Sequence, residues 1–159
     1  MTLSPYLFPT VAARTISARA YDTLTAEARS LLWYHDIERL PAQNVAELCG
    51  ITADTLCTHL ATAREAFMTS WLGLLTQTMN DHTRCSTVIA ALPRRCLGRL
   101  TQPQCDDLDT HLTTCGRCAL LAEEITTVCD HLGVALLPLV LGTTAWNWTP
   151  HVTLHPHRR

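Results

Sequence analysis

Residues 43–72 read QNVAELCGITADTLCTHLATAREAFMTSWL, and their pattern sets the fold class. Apolar residues recur at helical spacing on both sides of Gly50, and no run alternates apolar with polar as a half-buried strand does. The spacing predicts a short helix from Gln43 to Cys49. Gly50 follows it and is free to take the left-handed conformation of a tight turn. Thr52 is a suitable N-cap for a longer second helix running to about Leu72. Ala46 is small where the two helices would cross, while Val45, Ile51, Leu56 and Leu60 would fill the angle between them. A small residue, a glycine four positions later and an apolar residue next make the helix-turn-helix pattern.

Working outward, helical periodicity continues in both directions. Thr25 caps a helix carrying Ala28, Leu31, Leu32 and Ile37 up to Leu40, and Pro41 ends it because proline cannot continue the hydrogen-bond ladder. In that helix Trp33 and Tyr34 read as core and His35 as surface. Residues 1–20 show no clear pattern and read as a loosely ordered N-terminal extension. After a break from Met79 to Thr83, helices are expected over Cys85–Leu97 despite Pro93, from about Pro103 through Leu108, His111 and Leu112, and over Cys118–His131, with GRLTQPQ (98–104) as a turn. Leu132 to Ala145 is apolar for one helix's length but contains Pro138 and two glycines. It falls short of the roughly 20 residues a spanning helix needs, so a packed or interfacial segment is expected and a membrane partner is not. The expectation is an all-α protein of two small modules: a helix-turn-helix in 21–78 and a cysteine-bearing module in 82–131, followed by an apolar helix and tail in 132–159.

Composition narrows the class. Hydrophobic residues make up 47% of the 159, and charged residues only 16%, which describes a globular chain and not a disordered one. A formal charge of −2 argues against a generally sticky nucleic-acid coat. All 12 basic side chains are arginines. Eight cysteines suit either a disulfide scaffold or a set of thiols and metal ligands. The start, MTLSPYLFPTVAARTISARA, has no early positive cluster leading into an apolar core, so thiols in a reducing cytoplasm are expected.

The strongest chemical signal is HLTTCGRC at 111–118, an H-x3-C-x2-C cluster. On a helix, His111 and Cys115 project from one side, and Cys118 lies within one further turn. Three soft ligands need a fourth; Cys85, 26 residues before His111, is available, with His82 and Cys96 as nearby competitors. Four such ligands hold a structural Zn2+ tetrahedrally and leave no open position for chemistry. Cys49, Cys57 and Cys129 read as core, and Cys96 and Cys105 as packed thiols.

Two family likenesses complete the reading. Residues 24–72, beginning LTAEARSLLWYHDIERLPAQNVAELCGITADTLCTHLATARE, resemble region 4 of bacterial sigma factors of the extracytoplasmic-function group. That likeness implies contact with the −35 promoter element and the RNA polymerase flap. Residues 85–125 are similar to the zinc-binding anti-sigma domain, whose pattern is an early cysteine, G-x-L, then H-x3-C-x2-C. Cys85, Gly98 with Leu100, His111, Cys115 and Cys118 fall in its register, so the likeness implies Cys85 as fourth ligand. The segment before residue 20 is too short for sigma region 2, which leaves a partial sigma-like module. By the same likeness Thr52, Thr55, Thr58, His59 and Arg64 are the candidate DNA contacts.

Charge pulls the other way. Between Ala20 and Asn80 there are three arginines against seven carboxylates, and DNA affinity rests largely on cations set against phosphates. The acidic recognition helix has Asp54 early and Arg64 only late. Protein contact without DNA, with a sigma factor or partner subunit, is therefore the second expectation. An enzyme is not expected: there is no Gly-rich phosphate loop, no nucleophile elbow, and no glutamate beside the histidine as in zinc deaminases. Nor is a small-molecule substrate. Trp146, Trp148 and the tail HVTLHPHRR read as core closure or contact patch and as solvated terminus.

Overall fold

The structure, a computed structural model, describes residues 11–77 and 83–141, and among them every regular element is helical. Helix α1 (Val11–Asp22) runs through the part of the chain expected to be loose. Over residues 16–22, where its side chains are described, it packs through small groups: Ser17 and Ala20 are buried, with Ile16 and Tyr21 beside them. The Tyr21 hydroxyl donates to the Arg29 carbonyl at 2.9 Å and fixes α1 against the next helix.

Thr25 caps α2 (Ala26–Leu32), its hydroxyl accepting from the Ala28 N–H at 3.2 Å. The helix then widens into a π-helical turn at Trp33–Ile37, where the Glu38 N–H reaches back five residues to the Trp33 carbonyl. Trp33, Tyr34 and His35 all lie at intermediate depth, so the tryptophan and tyrosine are less buried than expected and the histidine more. The one buried side chain of the turn is Asp36.

Helix α3 (Ala42–Cys49) ends at Gly50 with φ +67°, and the Ile51 N–H returns to the Ala46 carbonyl at 3.0 Å. This is the Schellman closure expected at that glycine. From the Thr52 cap, α4 runs Ala53–Thr76, one turn beyond Leu72 and about 36 Å long at 1.5 Å per residue. Leu56, Leu60, Ala63, Phe67, Met68, Trp71 and Leu72 form its buried stripe. Cys57, one residue off that stripe, is exposed and not the core residue expected; Cys49 and Cys129 are only partly buried.

In the second half come α5 (Thr83–Cys96), α6 (Gln102–Thr114), α7 (Gly116–Asp130) and α8 (Leu132–Leu141). Residues 101–104 are the capped first turn of α6 and not a loop: the Thr101 N–H donates to the Gln104 side chain at 2.9 Å, closing a capping box. Pro93 sits buried in the last part of α5, where it costs the helix one hydrogen bond.

One continuous core runs through both halves, from Ala20 to Leu136. Helix α4 is its axis, packing on α1, α2 and α3 and also on α5 and α7. Helix α8 folds back on α1 and the π-helical turn, burying Leu132 and Leu136. Gly133 makes that possible: a Cβ there would collide with the Asp36 carbonyl oxygen. Among the described residues, no helix is long and apolar enough to cross a membrane.

Candidate metal centre

Cys85, His111, Cys115 and Cys118 come together at one end of the second half, with one ligand atom from each within 4.8 Å of all the others. The cluster is built where three helices meet. Cys85 lies in the first turn of α5, His111 in the last turn of α6, Cys115 in the single residue joining α6 to α7, and Cys118 in the first turn of α7. Cys115 leaves the helical region (φ −117°, ψ 93°), which turns the chain sharply enough for both sides of the junction to face inward. Its own N–H still bonds the His111 carbonyl at 2.9 Å, locking histidine to cysteine across the corner.

The distances suit a tetrahedral ion. Cys85 Sγ stands 3.8 Å from His111 Nε2 and 4.0 Å from Cys115 Sγ. Metal–sulfur bonds of about 2.3 Å and metal–nitrogen bonds of about 2.0 Å place tetrahedral neighbours about 3.5–3.8 Å apart. Cys85, His111 and Cys118 are buried and Cys115 is half-buried, so the four donors enclose the position they surround. Three sulfurs and one imidazole nitrogen form a soft set that could hold a metal ion.

Electrostatics separates the thiols. The Cys118 N–H, at the start of α7, points at the Cys115 sulfur and is the main cause lowering that thiol's pKa; the Cys118 thiol adds to it. Cys118 itself is pushed up to about 12, first by burial and then by the neighbouring sulfurs of Cys115 and Cys85. The two titrate as a pair, and a cation among them favours the thiolate form of both.

Of the competing fourth ligands, Cys96 lies at the opposite end of α5 and outside the cluster, and His82 is outside the described residues, as are Trp146, Trp148 and the histidine-rich tail.

The residues of the recognition helix are placed differently. Thr52, Thr55 and Thr58 are exposed on the first turns of α4, with the Thr52 and Thr55 hydroxyls 3.1 Å apart. His59 Nδ1 is 2.9 Å from Glu27 Oε1 of α2. The Arg64 guanidinium donates from Nη2 to Asp36 Oδ1 at 2.6 Å and from Nε to Asp36 Oδ2 at 3.2 Å, with His35 Nδ1 also 3.1 Å from Nη2. Asp36 is the residue that reading the sequence missed. Its only signal was a carboxylate among apolar neighbours, and its partner lies 28 residues away.

Comparison with protein-family models, curated proteins and solved structures gave no match to this chain.

Proposed function

We propose that the protein is a zinc-stabilised, anti-sigma-type regulator of bacterial transcription initiation that acts by protein contact, holding a sigma factor or an RNA polymerase subunit. The sequence likeness supplies the class of partner. The choice of protein over DNA is carried by one observation: the late cation of the recognition helix, Arg64, is committed to the buried carboxylate of Asp36. His59 is likewise turned to Glu27, and Asp54 occupies the first turn of α4, so no free cation faces outward there to release counterions from a duplex. Leu48 on α3 and Leu120 on α7 are exposed apolar side chains of the kind a protein partner covers.

Zinc is the ion the donor set favours. Three thiolates and one imidazole at tetrahedral spacing match closed structural sites, and a fully protein-ligated ion acts as a scaffold and not as a catalyst. The cytoplasm suits such a site, since its reducing conditions keep the ligands as thiols. The exposed Thr52, Thr55 and Thr58 favour a second reading, in which α4 touches promoter phosphates or base edges.

The full chain, assayed against a −35-type duplex at low and moderate salt and against a purified sigma factor, separates the two. The protein-contact reading expects no salt-sensitive duplex binding, a stable complex with the sigma factor, and about one zinc per chain. Duplex affinity that falls steeply with salt and is lost in Thr55→Glu would overturn it in favour of promoter contact.

A further inference from the structure

Cys96 lies eleven residues after Cys85 on α5, and Cys129 lies eleven residues after Cys118 on α7. Eleven residues make close to three full turns, so in each helix the second cysteine returns to nearly the same face as the first, about 16 Å further along. Cys85 and Cys118 meet at the N-terminal ends of their helices. Two helices that run parallel and stay packed then bring the second pair together as well. The structure agrees: α5 and α7 pack on each other, and Cys96 Sγ lies 3.8 Å from the Thr126 hydroxyl, one turn before Cys129. The Cys96 and Cys129 thiols are near enough for each to be the largest influence on the other's acidity.

We propose that Cys96 and Cys129 are a redox site separate from the metal centre, a dithiol that reduces a hydroperoxide and closes to a reversible disulfide tying the C-terminal ends of α5 and α7. Both thiols are partly open to solvent, and neither belongs to the metal cluster.

The surroundings divide the labour between them. The hydrogen bond from Cys129 is the largest cause bringing the Cys96 pKa down to about 7; burial opposes it, the Thr126 hydroxyl and the Arg95 charge assist, and Asp130 opposes. Cys129 is raised, chiefly by its role as donor to Cys96 and by burial, with Arg64 of α4 acting weakly the other way. Cys96 is thus the thiolate that attacks. Its sulfur takes the terminal peroxide oxygen, the O–O bond breaks, and the alkoxide or hydroxide leaves and picks up a proton, giving a sulfenic acid on Cys96. The Cys129 sulfur then attacks the Cys96 sulfur, the S–O bond breaks, and water leaves with the Cys129 proton. Two thiols are oxidised and one hydroperoxide is reduced. An external dithiol reverses the bond by exchange.

The test uses the full, metal-loaded chain and one equivalent of hydrogen peroxide. Thiol counting, disulfide mapping by mass spectrometry and a metal-release dye are the readouts. The expected result is loss of two of the eight thiols, a Cys96–Cys129 linkage and retained metal. The rate should drop about tenfold from pH 8 to pH 6 as the Cys96 thiolate is protonated. Cys96→Ser should slow thiol loss at least about tenfold because the attacking thiolate is gone, whereas Cys129→Ser should lose a single thiol and stop at a Cys96 sulfenic acid with no disulfide. Cys105→Ser should change nothing. A first disulfide among Cys85, Cys115 and Cys118 with release of metal overturns the proposal. So does an unaltered rate of two-thiol loss in Cys96→Ser, and this mapping on the unsubstituted protein holds even if a variant folds poorly.

Discussion

The α2–α4 region and the α5–α7 region each bury one costly polar side chain, and they compensate it in opposite ways. In the first, Asp36 is met by a protein cation, Arg64, at 2.6 Å. In the second, His111 is met by three sulfur atoms, none of which carries a positive charge. The first solution is complete within the chain. The second would gain further from a cation among the donors, since the contacts between its imidazole and thiols are long, at 3.8 and 4.0 Å. Apolar packing singles out α6: α4 buries a stripe from Leu56 to Leu72 and α7 buries Leu121, Ile125 and Val128, whereas α6 buries only Leu108 and His111. Both halves share one core, and in the second a four-donor cluster that could hold a metal ion sits at its edge.

Removing the metal should break the contrast most. A structural zinc contributes on the order of 10 kcal/mol to folding, so chelation or Cys118→Ser should cost α6 its amide-exchange protection while α4 keeps most of its own. Equal protection in α6 with and without metal would show that the second half is also closed by its core. Because the ligands bind deprotonated, metal affinity should weaken as pH falls, and Cys115, with its lowered pKa, should be among the last thiols to protonate.

The helices of the α3–α4 corner were legible from residues 43–72, since Gly50 and Thr52 are local signals read without the rest of the chain. The metal cluster was legible for a similar reason: His111, Cys115 and Cys118 are neighbours on one corner, and only Cys85 had to be brought from a distance. What escaped was long-range. Among its described side chains, helix α1 buries Ser17 and Ala20, small residues that give little amphipathic signal. The Asp36–Arg64 pair joins positions 28 apart, and Arg64 looked like a free cation until its partner was known. Cys57 was misplaced because one step along a helix is about 100°, enough to carry a thiol from the buried stripe to solvent.

A smaller effect tests the first half. Arg64→Ala leaves the Asp36 carboxylate buried without its cation and should cost about 1–3 kcal/mol, read from urea denaturation. Adding Asp36→Asn should recover part of that loss. Full additivity of the two changes would mean that Arg64 and Asp36 are not coupled, and would return Arg64 to the list of candidate phosphate contacts. The smallest change is expected at the seam between halves. Arg99 Nη1 donates to Glu65 Oε2 at 2.6 Å, but the arginine is well exposed, so Arg99→Ala should shift stability by less than about 1 kcal/mol. A larger loss would mark that ion pair as a fastening between α4 and the turn after α5.

The π-helical turn also sets a rule for any chain built on this plan. A π turn carries one residue more than the α-helix it interrupts, and here the Asp36 backbone within it lies against α8 at a position where no side chain fits. Insertion and glycine are therefore a matched pair in the alphabet of this fold. A chain that keeps this packing of the widened turn on α8 is expected to keep a glycine facing the Asp36 carbonyl. Two positions nearly a hundred residues apart would vary together, which gives alignment a signature that neither the cysteine spacing nor the helix-turn-helix pattern supplies.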